Sequence, residues 1–248
     1  MSFMAKIAAG AATLALAGSG LGMVGTLSAS AATPSCGITC DNWYTQKFGE
    51  HFVLDDLYGL ASTGNALILY QASNSDPAED FVDHSLGLVS SLHSRHHGLF
   101  PPGFIHTYGT DTAIEIQYEP LGQNSNLCVG TWPGEAAQAG FKIRLEACGD
   151  TNTIFVVDEA DASVGHTPQV PGPNPPPSGN HHPTTYTPLI TGTDTNYIDP
   201  LVLNYPAGRP TDTPRPWLNV EPLSTFSHSS NGSVYDSQLW ADKTGVLR

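Results

Sequence analysis

One pattern of short apolar segments occurs three times in this chain, at a spacing of about 75 residues. The first copy reads Phe52-Val53-Leu54-Asp55, then Gly64-Asn65-Ala66-Leu67-Ile68-Leu69-Tyr70, then Glu79-Asp80-Phe81. The second reads Leu127-Cys128-Val129-Gly130, then Gly140 to Cys148, then Thr153-Ile154-Phe155. The third reads Leu201-Val202-Leu203-Asn204, then Pro216-Trp217-Leu218-Asn219-Val220-Glu221, then Gln238-Leu239-Trp240. Repetition of a strand, a turn, a second strand and a closing aromatic predicts one closed β fold with pseudo-threefold symmetry. Such a fold is chiefly a scaffold for recognition.

The N-terminus reads as an export signal over 1–31. Lys6 is followed by the small, apolar stretch Ile7 to Val24, and Ala29-Ser30-Ala31 supplies a small-x-small cleavage site. Glycines interrupt the stretch and no basic cluster follows it, so cleavage near Ala31 or Ala32 is expected rather than anchoring, and the protein is expected outside the cell. The formal charge of −14 argues against nucleic acid and anionic membranes as partners, since both select Lys and Arg. No later run reaches the length of a spanning helix.

Export favours disulfides among Cys36, Cys40, Cys128 and Cys148. Cys128 and Cys148 flank the strand pair of the second copy and are the natural partners, which leaves Cys36 with Cys40. A four-thiolate metal site would need C-x-x-C knuckles, which are absent, so no metal and no cofactor are expected.

A short N-terminal segment, 32–50, carries Trp43, Tyr44 and Phe48 as core or lid aromatics. The repeat domain follows over 51–248, with copies at about 51–111, 112–185 and 186–248. Ala113 to Tyr118 alternates as a strand does. His84 to Tyr108 is polar, His-rich and broken by Pro101-Pro102-Gly103, and residues 164–185 form a Pro-, Gly- and Asn-rich loop. No long amphipathic helix is evident after the signal.

The repeats resemble the ricin B-type β-trefoil, whose units read C-L-D, a Gly-containing turn, I-x-L, C and finally Q-x-W. Cys128-Val129, Ile143-Arg144-Leu145 and Cys148 match in the second copy. Gln238-Leu239-Trp240, followed by Gly245-Val246-Leu247, matches the closing motif and next strand. The set is also similar to secreted actinobacterial proteins of ricin-like type. The resemblance covers roughly 50–247 and implies an all-β β-trefoil, here with long inter-repeat loops, that binds sugars. It departs from the family in its wide spacing and in keeping Q-x-W once.

In ricin-type sites an Asp after the first strand accepts bonds from sugar hydroxyls, and an aromatic after the second strand stacks on the sugar. Carried over, these roles fall on Asp55 and Tyr70 in the first copy. Ala78-Glu79 replaces the usual Asn-Gln, with Asn74 and Asp76 as nearby polar groups. The second copy offers Gly130 and Glu146, the third Asn204 and Glu221, so a sugar site is expected in the first alone: Asp55, Tyr70, Asn74 and Glu79. Phe81, Phe155 and Trp240 read as core plugs, and Gln238 as a backbone-bonding turn residue.

The clustered His93, His96 and His97, and the pair His181-His182, read as solvated loops. No G-x-S-x-G, H-E-x-x-H or P-loop is present, and adjacent Asp83, His84 and Ser85 do not make a triad. The expectation is a monomeric, secreted, non-catalytic binder of a glycan or polysaccharide. The alternatives are a degenerate trefoil that binds or inhibits an extracellular protein through its loops, and a secreted hydrolase.

Overall fold

The computed structural model describes residues 42–73, 76–96, 99–165, 184–192, 199–224 and 234–242. The export signal, Cys36, Cys40, Asn74, His97, the histidine pair at 181–182 and the Gly245-Val246-Leu247 segment lie outside the described residues. The strands are β1 (Tyr44–Thr45), β2 (Phe52–Asp56), β3 (Leu67–Gln71), β4 (Phe81–Leu88), β5 (Thr112–Tyr118), β6 (Leu127–Gly130) and β7 (Arg144–Ala147). They continue with β8 (Ile154–Val157), β9 (Ser163–Gly165), β10 (Thr184–Tyr186), β11 (Leu189–Thr191), β12 (Leu201–Asn204), β13 (Asn219–Pro222) and β14 (Trp240–Ala241). Two short helices, α1 (Val89–Arg95) and α2 (Pro102–Tyr108), separate β4 from β5.

Pairing is antiparallel throughout and follows one scheme three times. First and second strands form the hairpins β2–β3, β6–β7 and β12–β13. Third and fourth strands pair as β4–β5, β8–β11 and β14–β1. Each fourth strand then meets the first strand of the next unit, at Gln117↔Cys128, Ile190↔Val202 and Tyr44↔Val53. The N-terminal β1 therefore takes the fourth-strand place of the third unit, between β14 and β2.

The three hairpins close on one another around the axis. The Leu67 amide donates to the Ile143 carbonyl (3.2 Å), Ile143 to Leu218 (2.9 Å) and Leu218 back to Leu67 (2.9 Å). A cyclic set of bonds from equivalent positions of three units is the signature of a β-trefoil, and that is the fold. The main core repeats the symmetry in side chains: Leu54, Val129 and Leu203 from first strands, Leu69, Leu145 and Val220 from second strands. Phe81, Phe155 and Trp240 come from third strands, Ile116 and Leu189 from fourth strands, and Trp43 from just before β1. The aromatic plugs are fully buried, each worth roughly 2–3 kcal/mol of apolar transfer. Trp240 also donates its indole N–H to the Leu203 carbonyl at 2.9 Å. Gln238 bonds backbone on both sides, accepting from Ser224 N and donating to Pro222 O.

In the first two units the longest connections fall between third and fourth strands, from β4 to β5 and from β8 to β11. In the first unit the His-rich stretch is not a loop: it folds into α1 and α2. Their Val89, Leu92, Phe104 and Tyr108 pack with Phe100 on Ala113, Ile154, Val156, Ile190 and Val202. This cover explains why β8 is apolar without alternation. Phe155 and Val157 face the barrel while Ile154 and Val156 lie under the helices. Cys128 and Cys148 form the disulfide across the second hairpin.

Candidate functional site

In the first hairpin, register and pleat sort the side chains onto two faces. Leu54 and Asp56 alternate with Asp55 on β2, and Asp56 lies opposite Leu67, whereas Val53 lies opposite Tyr70 and Asp55 opposite Ile68. Leu54, Leu67 and Leu69 enter the barrel, which carries Asp56 inward with them. Asp55, Val53, Ile68 and Tyr70 share the outer face. The structure thus brings Asp55 and Tyr70 onto one face, two residues apart in register.

The turn Pro77–Glu79 completes the cluster. It starts at Asp76, whose side chain accepts the Ala78 amide at 3.0 Å. Glu79 is buried and its two carboxylate oxygens accept the Ser73 amide at 2.9 Å each. Asn42, just ahead of β1, donates to Glu79 Oε2 at 3.5 Å. Carboxylate oxygens of Asp55, Asp76 and Glu79 all lie within 4.8 Å of one another. Asp55 is only 5% exposed, and no donor from any described residue hydrogen-bonds its carboxylate. A cleft of about 110 Å³ lies beside Glu79, lined by Asn42, Tyr44, Glu50, Val53, Ala72 and Ser73.

Electrostatics follow from this crowding. Burial raises Asp55 to a pKa of about 8, reinforced by the negative charges of Asp76, Glu79 and Asp56 and opposed by Arg215. Asp56 rises to about 7 through burial, against a hydrogen bond from Asn65. Tyr70 is half-buried, and the exposed Arg215 places its guanidinium carbon 4.3 Å from the ring centroid. Arg215 comes from the loop that leads to β13 in the third unit, so one face of the Tyr70 ring carries a cation–π partner.

The equivalent positions in the other units are closed. Gly130 replaces Asp55 in the second, and Asn152 fills the space, donating to the Thr131 carbonyl at 2.8 Å. Glu146 replaces Tyr70 there and pairs with Arg144 at 3.6 Å. In the third unit Ser237 donates to Asn204 Oδ1, Asn204 donates to Asn219, and Asn219 donates to Glu221. Those polar groups satisfy one another, whereas at the first unit's position the Asp55 carboxylate accepts no hydrogen bond from a described residue.

Asp56 and Arg215 lie outside the set that the sequence points to. Asp56 adjoins Asp55 but faces the other way, and only the pairing register reveals it. Arg215 is 145 positions from Tyr70 and carries no local signal. Trp132, just past β6, is 49% exposed and stacks on the Arg144 guanidinium at 4.1 Å, beside a cleft of about 300 Å³. Of the histidines, His93 and His96 lie at α1 and its end, and His84 is 3.6 Å from Glu119 on the surface.

No protein-family model matches the chain, and no curated protein matches it. Among solved structures it is similar to the designed 3-fold symmetric protein ThreeFoil, at a TM-score of 0.46 and 12% identity. The match covers 82% of this chain and 96% of ThreeFoil. At that level the likeness carries no argument, and the trefoil assignment rests on the pairing scheme and the cyclic hydrogen bonds.

Proposed function

We propose that this protein is a secreted, non-catalytic carbohydrate-binding module whose site is the outer face of the first unit. The observation that carries the reading is the Asp55 carboxylate, an acceptor without a donor among the described residues, beside the half-exposed ring of Tyr70. Sugar hydroxyls are the donors such a group lacks; below about pH 8, where Asp55 stays protonated, each bond contributes about 0.5–1.5 kcal/mol, and more once the group ionises. The Tyr70 ring offers an apolar platform for a pyranose face once Arg215 swings aside, which its exposure permits. Glu79 and Asp76 border the same space as further acceptors. The resemblance to ricin-type units points to the same positions. One site gives weak monovalent affinity, of order 0.1–1 mM.

The test is a glycan and polysaccharide binding screen on the secreted form, with Asp55→Ala and Tyr70→Ala as controls. Binding lost in both folded variants supports the reading. Binding retained in both places recognition elsewhere. Absence of any sugar ligand favours the second reading, a protein-binding module. The exposed Tyr58, Leu60, Trp132 and Trp217 support that alternative.

A further inference from the structure

We propose that Asp55, Asp76 and Glu79 form a divalent-cation site that takes calcium in preference to magnesium. This goes beyond the carbohydrate reading and does not depend on it. Three carboxylate oxygens, one from each residue, lie within 4.8 Å of one another. Calcium binds oxygen at 2.3–2.6 Å, so two oxygens on one ion stand at most about 4.6–5.2 Å apart. Three oxygens so spaced lie within about 2.8 Å of one common point, so a side-chain adjustment of a few tenths of an ångström seats a single ion on all three. Asp76 is partly exposed, which leaves the ion open to water for its remaining coordination. Magnesium demands a tighter octahedron and gives up its waters reluctantly, which suits it less to this half-buried trio.

The second observation is the state of Asp55 itself. It is nineteen-twentieths buried, its carboxylate accepts no hydrogen bond from a described residue, and it faces two further carboxylates. A buried carboxylate without donor or counter-ion is costly, and proteins pair it or place it on a metal. The nearby protein cation, Arg215, is exposed and stacked on Tyr70. Glu79 and Asp76 are already aimed by main-chain amides, Ser73 N for the one and Ala78 N for the other. Asp76 keeps lone pairs for an ion. The equivalent positions in the other units hold Gly130 with Thr153, and Asn204 with Gln238, and among the described residues this is the one such carboxylate trio.

The experiment is calorimetric titration and thermal melting of chelator-stripped protein with calcium chloride, without sugar, at matched ionic strength. Magnesium chloride is the comparator. The expected result is one calcium per chain, with a Kd of about 10⁻⁴–10⁻³ M as in extracellular modules. At ten times Kd the Tm should rise by about 3–6 °C, and by less with magnesium. Asp55→Asn should fold, be at least as stable as wild type without calcium, and lose the calcium shift. Glu79→Gln should lose it as well. Absence of a calcium shift in the wild type, or an equal shift in Asp55→Asn, overturns the site. An equal response to magnesium overturns the stated preference. Sugar capture measured in chelator reports on the carbohydrate reading separately, so either proposal can fail alone.

Discussion

Gly130 stands where the first unit has Asp55 and the third has Asn204. A Cβ at Gly130 would sit 2.9 Å from the Asn152 carbonyl oxygen and 3.0 Å from a Thr153 methyl. The backbone oxygen cannot swing away as a side-chain tip can. Gly130→Ala should therefore destabilise by about 1–3 kcal/mol. A lower urea midpoint with an unchanged m-value is the expected reading, and an unchanged midpoint would mean that the turn at 152 yields. Asp158, beyond β8, makes a prediction of another kind. Its carboxylate is buried and accepts the amides of Ala160 and Asp161. Burial, and then the Asp161 and Asp111 charges, raise its pKa from 3.8 to about 6. The folded state then holds the proton more tightly than the unfolded state does. Stability should rise as pH falls from about 6 to about 4, and level off below. At neutral pH the ionised group costs about 3 kcal/mol. Asp158→Asn keeps an oxygen for both amides and removes the titration. Melting curves from pH 4 to 8 should show a higher Tm for the variant at pH 7.5 and a flatter slope between pH 4 and 6. Asp55 and Asp56, raised by burial to about 8 and about 7, titrate across the same range, and Asp111 and Glu146 are raised too, so the slope should shrink rather than vanish.

At the scale of elements, β1 matters beyond its two residues. It joins β14 to β2, and Trp43 just before it fills the core place held by Ile116 and Leu189 in the other units. Trp43→Ala should cost about 3–5 kcal/mol, measured by denaturant unfolding. A loss below 1 kcal/mol would mean that the third unit closes without this strand. The helices show why one element was illegible. Val89 and Leu92 sit three apart, and Phe100, Phe104 and Tyr108 four apart, so an apolar stripe is present. Histidines and Pro101-Pro102 mask it. Pro102 in fact opens α2, where a missing N–H costs nothing. The strands of the repeated hairpins and β5 were legible because their spacing and alternation are local. Cys128 with Cys148 was legible because both flank one hairpin.

For the whole molecule, the bonds among Leu67, Ile143 and Leu218 couple all three units. None of these amides can lose its partner without separating two hairpins. In native-state hydrogen exchange the three should be among the slowest and should exchange at a common free energy, that of global unfolding. Faster exchange of one would show that its unit opens alone.

The pattern of strand, turn and aromatic along the chain determined that three like units would close into one β fold. That pattern also determined which aromatics plug the core, since pleat and spacing are properties of neighbouring residues. The resemblance to ricin-type units pointed as well to Asp55 and Tyr70 as a pair. Only the tertiary structure decided that an N-terminal strand completes the third unit, and that Asp56 turns inward while Asp55 does not. Only it gathered Asp76 and Glu79 around Asp55 and laid Arg215 on Tyr70. The reason is physical: the state of a carboxylate depends on the charges, donors and water around it. Here those neighbours come from separate strands, turns and units that pairing alone brings together.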